Sequence, residues 1–275
     1  VPIFKAYDIR GVYPSELDAV QAHQIGRATA RFIGASSLVV GHDARTSSPE
    51  LREALVRGIN DEGVDVIDIG LVATPMLYFA VDRLGAGGGV MITASHNPAQ
   101  YNGFKVCREH AIPIGEASGL REIEKIAARV GDEPVASTRG SVEDADMSAG
   151  YVEHALTAGT ERAPLRVAID CGNGMAAIGL EPLLDRLDLD VEKLYFEPDC
   201  TFPNHEADPL KVENLREVSE AVRSSNADFG VAFDGDADRA IAAISPRERS
   251  AGCDESDDPD DASRQLDVVD LEREV

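Results

Sequence analysis

The 275-residue chain contains no tryptophan, and phenylalanine and tyrosine together bring its aromatic content to only 5%. Its cores are therefore expected to be aliphatic and alanine-rich, drawn from a hydrophobic fraction of 43%. Cysteine is scarce too: Cys107, Cys171, Cys200 and Cys253 lie far apart, with no CxxC pair. That spacing argues against a disulfide scaffold and against a cysteine zinc site. No run of 18 apolar residues occurs, so no membrane-spanning helix is expected. The opening VPIFKAYDIRG lacks a basic segment followed by an apolar one. No secretory signal is read there, and a cytoplasmic location is expected.

Positive charge is the other shortage. Fifty acidic side chains face 26 basic ones, a net charge of -24, and only Lys5, Lys105, Lys125, Lys193 and Lys211 are lysines. A field of that sign repels nucleic acid and anionic lipid, so neither nucleic acid nor a membrane is an expected partner. An anionic substrate would need arginine, lysine or a metal ion to reverse the potential locally.

What is present is an alternation of short β-branched runs with longer amphipathic ones. SLVVG (37–41) reads as a strand. SPELREALVRGINDEG (48–63) reads as a helix capped by Ser47 or Ser48, with Pro49 in its first turn and Leu51, Leu55 and Ile59 on one face. VDVIDIG (64–70) is a strand, a helix opens at Thr74-Pro75, and GGGVMITAS (87–95) is the next strand. A helix from about Gly119 to Val130 follows. This order is the signature of a parallel sheet covered on both faces. GDEPVASTRGS (131–141) reads as a boundary loop and 148–158 as a helix, after which the rhythm restarts. LRVAID (165–170), VEKLYFE (191–197) and 228–233 read as strands, with helices running to about Arg186 and from Leu210 to Ser224. The rhythm ends in DESDDPDD (254–261), six acids in eight residues, which cannot bury enough surface to offset its ordering entropy. Disorder is expected to about residue 265, then a weak helix or a frayed strand with no partner element.

AFDGDADRA (232–240) sets Asp234, Asp236 and Asp238 at alternate positions, with Gly235 and Ala237 between them. At the carboxyl end of a strand the three carboxylates can curl around one point, where open α/β sheets form their sites. Hard cations such as Mg²⁺ take oxygen ligands of this kind at about 2.1 Å. The plainer alternative is a solvated turn, since Asp and Gly favour turns anyway. No acid stands where an EF-hand would require one.

TASHNP (93–98) closes another apolar strand. Ser95 and His96 are adjacent, and adjacent side chains of an extended chain point apart, so a hydrolytic Ser-His pair is disfavoured. GxSxG is absent there as well. A serine that carries a phosphoryl group beside Mg²⁺, with Lys105 and Arg10 as neighbouring cations, fits better. Lys105 could equally be a surface lysine on a strand edge, Arg10 a surface partner of Asp8, and His96 a polar packing residue.

YDIRG (7–11), TASHNP with NGFK (102–105), FPNHEADP (202–209) and DGDADR (234–239) together resemble the α-D-phosphohexomutases, and GHDAR (41–45) and DCGNGMA (170–176) resemble that family's connecting motifs. The resemblance covers residues 1 to about 240. It implies two successive mixed-sheet α/β/α sandwich domains, 1–147 with the phosphoserine loop and 148–252 with the metal loop; the composition then gives an acidic tail at 253–275. It implies that Ser95 carries the phosphoryl group and that Asp234, Asp236 and Asp238, with the serine phosphate, hold Mg²⁺. Arg10, His96, Lys105 and Arg239 would surround the group in transfer. The implied reaction interconverts hexose 1- and 6-phosphates through a hexose 1,6-bisphosphate. His42 stands where the family commonly has Arg, a substitution expected to matter little.

The family has four domains, and its fourth grips the non-reacting phosphate with an Arg-x-Ser-Gly-Thr loop that has no counterpart here. A truncated mutase is therefore expected, with a non-catalytic metal- or phosphosugar-binding remnant as the alternative. Neither the hexose nor the oligomeric state is legible. The charge balance resembles that of halophilic proteins, because at 1 M salt screening shortens carboxylate repulsion to about 3 Å. Folding should accordingly need molar salt, with a melting temperature that rises steeply with ionic strength. A melting curve showing full stability at low ionic strength would contradict this.

Overall fold

The computed structural model describes residues 3–158, 164–244 and 267–270. The first part of the chain forms β1 (Ile9–Val12), α1 (Ala19–Ile33), β2 (Ser37–His42), α2 (Ser48–Asp61), β3 (Asp65–Leu71), α3 (Thr74–Leu84), β4 (Gly88–Ile92), β5 (Tyr101–Arg108), α4 (Leu120–Val130) and β6 (Val142–Asp144). The second part forms α5 (Ser148–Leu156), β7 (Leu165–Asp170), α6 (Ala176–Leu184), β8 (Leu189–Leu194), α7 (Arg216–Ser225), β9 (Phe229–Phe233), β10 (Ala240–Ile244) and β11 (Asp267–Asp270). None of the described helices is long and apolar enough to cross a membrane.

The strands pair into two sheets, ordered β1-β5-β4-β2-β3-β6 and β11-β10-β9-β7-β8. Both are mixed. In the first, β4, β2, β3 and β6 run parallel, while β5 lies antiparallel to both β4 and β1. The all-parallel expectation from the alternating pattern therefore fails at one edge. The chain returns from β4 to β5 through the short turn 93–100, and parallel neighbours would have needed a crossover. The second sheet repeats the arrangement: β8, β7 and β9 are parallel, and the acidic turn 234–239 sends β10 back antiparallel to β9.

Side-chain alternation along the strands feeds a core on each face. Leu38, Val40, Val90 and Ile92 pack with α1, α2 and α4, whereas Val39 and Met91 face α3 with Met76, Leu77 and Ala80. In the second sheet Ala168 and Ala232 meet Val218 and Val222 of α7, while Val167 and Ile169 meet Ala176 and Ala177 of α6. The core under α3 also takes in Met175 and Cys200, with Phe202, Tyr151 and Ala237 packed against it, so apolar packing is continuous from one sheet's layer to the other's. On α5, Tyr151 sets its ring edge-on to Phe79 of α3 at 5.8 Å. Cys107, Cys171 and Cys200 are buried free thiols.

Several elements differ from the sequence reading. β4 stops at Ile92 instead of running to Ser95, and β8 lies two residues earlier than read and ends before Phe196. The helix read from Leu210 opens with a 3-10 turn at Val212–Leu215 before α7 begins. α1, β1, β5, β6 and β10 had no counterpart in the reading. The acidic stretch 254–261 lies outside the described residues. Beyond it, 267–270 is a strand with a partner after all, antiparallel to β10.

Two glycines let α1 and α2 approach closely. A Cβ on Gly26 would lie 2.3 Å from the Leu55 carbonyl oxygen, and one on Gly58 would lie 2.1 Å from that of His23. Both obstacles are backbone, so neither can swing aside. Gly58→Ala should force the helices apart and lower stability by about 1–3 kcal/mol, the range for overpacking. Urea unfolding tests this, and a loss under about 0.5 kcal/mol would show that the helices separate freely.

Candidate active site

The reversal turns of the two sheets meet. Ser95, in the turn between β4 and β5, donates its Oγ hydrogen bond to Asp234 Oδ2, at the start of the turn between β9 and β10, over 2.7 Å. The turns touch through backbone as well: a Cβ on Gly235 would sit 2.4 Å from the Ser95 carbonyl oxygen, which only glycine permits. Ser95 itself is buried and takes φ 50°, in the left-handed region, with its N–H bonded to Thr93 Oγ1 at 2.9 Å. That torsion overturns the extended-chain argument about its neighbour. Ser95 Oγ lies 3.3 Å from His96 Nδ1, so the two side chains do meet. The same His96 nitrogen lies 2.9 Å from Arg239 Nη1, which makes it an acceptor. Burial, with smaller contributions from Arg239 and Arg10, holds the His96 imidazole below its ordinary pKa, hence neutral. The serine hydroxyl is aimed at Asp234, and a Ser-His hydrolytic pair does not form.

Asp234, Asp236 and Asp238 each offer an oxygen, and these atoms all lie within 4.8 Å of one another. Asp234 and Asp236 are fully buried. Lys105 reaches them from β5, donating to Asp236 Oδ2 at 2.6 Å and to Asp238 Oδ2. It is thus neither an edge lysine nor in hydrogen-bond contact with Ser95. Burial opposes its charge, but the two carboxylates outweigh this and hold the ammonium above its ordinary pKa. Burial likewise opposes ionisation of Asp236, and Lys105 reverses the effect and keeps that carboxylate ionised. Asp234 and Asp238 are pushed up, by burial first and then by their neighbours' charges.

The residues fit a hard cation. Three carboxylates face one lysine, and Asp236 Oδ1 is buried with no hydrogen-bond partner. An oxygen donor set with an unused lone pair is the chemistry that Mg²⁺ or Mn²⁺ takes. Arg239 approaches the same group, its backbone N–H bonded to Asp234 Oδ1 at 3.1 Å and its Nη1 3.7 Å from Oδ2. Arg10 sits on β1 and pairs with Asp8, as the plainer reading held, but it also donates to Asn97 Oδ1 in the serine turn. His42, at the end of β2, turns its Nδ1 to the Asp43 carbonyl at 2.9 Å.

The residue that the sequence reading valued least is Arg45. Its side chain has 0% exposure, and four of its five hydrogen bonds go to carbonyls of residues 95–101. Nη1 donates to the carbonyls of Pro98 (2.8 Å) and Tyr101 (3.0 Å), and Nη2 to those of Ser95 (2.8 Å) and Asn97 (2.7 Å). Nε donates to Asp43 Oδ2 at 3.1 Å, and Ser48 Oγ holds the other oxygen of that carboxylate at 2.6 Å. The guanidinium also stands 5.3 Å from the centre of the Phe202 ring, in the FPNH segment of the second part. GHDAR was visible as a motif, yet nothing in its spacing shows that its arginine feeds four carbonyls some fifty residues on.

Residues 1–133 match the phosphoglucomutase/phosphomannomutase α/β/α domain I model and residues 149–246 match that of domain II. The chain belongs to the phosphoglucomutase/phosphomannomutase family. It is 43% identical over 244 residues to the phosphomannomutase/phosphoglucomutase of Pseudomonas aeruginosa, covering 86% of this chain and 51% of that protein. A phosphoglucomutase of Neisseria gonorrhoeae is 42% identical over 240 residues, covering 86% and 52%. The crystal structure of a phosphoglucomutase/phosphomannomutase family protein from Burkholderia thailandensis superposes with a TM-score of 0.81 at 37% identity, covering 88% of this chain and 54% of that one. The chain thus spans about half the length of the relatives it matches.

Replacing Arg45 with Met would strand the buried Asp43 carboxylate and four carbonyls. Arg45→Met should cost about 3–5 kcal/mol of stability, the range for breaking a buried pair from one side. It should also speed amide hydrogen exchange selectively across 93–101. Unchanged exchange in that turn would show that the clamp is dispensable.

Proposed function

We propose that this chain carries the phosphoryl-transfer part of a Mg²⁺-dependent phosphohexomutase, which interconverts hexose 1- and 6-phosphates through a phosphoserine and a hexose 1,6-bisphosphate. One observation supports it above the others: Ser95 Oγ lies 2.7 Å from Asp234, inside a cluster of three carboxylates and a lysine built from both sheets. On this reading the units divide near residue 148. Asp234, Asp236 and Asp238 hold Mg²⁺, which supplies positive charge against the serine phosphate.

Ser95 Oγ forms a bond to phosphorus as the bond from phosphorus to a sugar oxygen breaks, and the serine proton ends on that oxygen. The opposite step, from phosphoserine to the free hydroxyl of a hexose monophosphate, forms the 1,6-bisphosphate as the hydroxyl proton passes to Ser95 Oγ; once the sugar has turned over, the serine takes the phosphoryl group from its other end. The Arg45 clamp fixes the serine turn, so that Oγ meets the phosphorus without reordering the loop. Arg239 and neutral His96 line the approach on one side, and Arg10 joins them through Asn97. The two arginines counter the charge that spreads over the phosphoryl oxygens in transfer. Lys105 tethers the carboxylate turn and places a cation beside the same group. These local cations answer the problem set by the -24 net charge, which otherwise disfavours an anionic sugar.

A second reading is a phosphosugar- or metal-binding module without turnover. Incubation with glucose 1,6-bisphosphate and Mg²⁺ should add one phosphoryl group to the tryptic peptide that contains Ser95, and none to that of Ser95→Ala. Phosphate found elsewhere by mass spectrometry, or equal labelling of the alanine variant, would overturn the assignment. Turnover of glucose or mannose 1-phosphate in a coupled assay separates the two readings.

A further inference from the structure

Thr74 is the first residue of α3, and the sequence marks it only as a helix start. It is fully buried and belongs to the first sheet's layer, yet both its polar groups go to the carboxylate turn of the second. Its backbone N–H donates to the Asp236 carbonyl at 3.0 Å, and its Oγ1 donates to Asp236 Oδ2 at 2.6 Å. Lys105 Nζ takes that same Oδ2 at 2.6 Å. One oxygen of the carboxylate therefore has two donors. The other, Oδ1, is buried with none.

The geometry points to Thr74 as a positioning residue that fixes the Asp236 carboxylate, engaging Oδ2 so that Oδ1 is left to face a divalent cation. This rests on the reading of the three aspartates as a cation site. A carboxylate held only by the Lys105 ammonium, at the end of a long side chain, could rotate and present either oxygen. The hydroxyl, fixed by the helix to which it belongs, removes that freedom. The backbone bond is retained whatever the side chain, so a change at Thr74 removes only the hydroxyl's hold on Oδ2 and leaves that of Lys105. Groups that orient a metal ligand in this way are typically worth 10–100-fold in metal affinity.

The test uses the purified chain and Mn²⁺ alone, with free Mn²⁺ read by electron paramagnetic resonance. Thr74→Val keeps the volume and removes the donor, and should weaken Mn²⁺ binding 10–100-fold. Thr74→Ser keeps the donor and should bind within about threefold of the wild type, on the scale of a change that preserves this contact. In an Asp236→Asn background the valine change should weaken binding no further, because its target is already gone. Should valine prevent folding, Thr74→Ala carries the same comparison. Wild-type affinity in the valine or alanine variant, serine as weak as valine, or an additive loss in the double variant would each overturn the assignment while leaving the cation site intact. Absence of Mn²⁺ binding by the wild type would instead remove the cation-site reading, and Thr74's role with it.

Discussion

A buried guanidinium with no access to water must spend every donor on the protein, and Arg45 spends four of its five on one turn. The Ser95 and Asn97 carbonyls, in a reversal outside the strand pairing, find their donor in this one side chain. Asp43 balances the charge, Ser48 holds Asp43, and Asn102 donates to the hydroxyls of Ser47 and Ser48 at 2.8 and 3.0 Å. The start of α2, the end of β2, the serine turn and the start of β5 are in this way one hydrogen-bonded body. Through Phe202 the same guanidinium also touches the second part of the chain. Position of the serine hydroxyl is thus a property of the fold and not of one loop.

Both halves of the site arise from the same architectural device. Each sheet is parallel until a tight turn sends one strand back, and each of those turns, 93–100 and 234–239, carries the chemistry-bearing side chains. A tight reversal buries polar backbone at a sheet end and leaves small residues there. That allows the second turn to approach to within the reach of Gly235. The apolar layer under α3, shared by the two parts, sets the distance between the sheets at which the turns meet.

The fold was legible where side chains obey a simple period. β2, β3, β7 and β9 are β-branched or apolar runs, and α2 and α3 carry proline near the start and an apolar stripe. It was illegible where buried polar groups interrupt that period. α1 hides Arg27 in its packed face among small residues such as Ala22, Gly26 and Ala30, donating to the carbonyls of Val130, Glu133 and Pro134 and to Glu62. β5 mixes Asn102 and Lys105 into a central strand, because both serve the site. The three aspartates were legible because a single turn holds them. The contact of Ser95 with Asp234 spans 139 positions, and no spacing rule reaches that far. Arg45 and Thr74 were missed for the same reason: each has a local role that explains it adequately, and its second role is visible only in three dimensions.

The left-handed torsion of Ser95 restricts which amino acids can occupy the position at all. At φ 50° the Cβ crowds the following carbonyl, and a second heavy atom on Cβ adds to the strain. Threonine and serine are chemical equivalents as hydroxyl bearers, but the backbone separates them before any chemistry begins. Glycine would suit the torsion best and has no oxygen to offer. The site is therefore tied to the smallest side chain that both tolerates the bend and carries a hydroxyl, and its alphabet is one letter long.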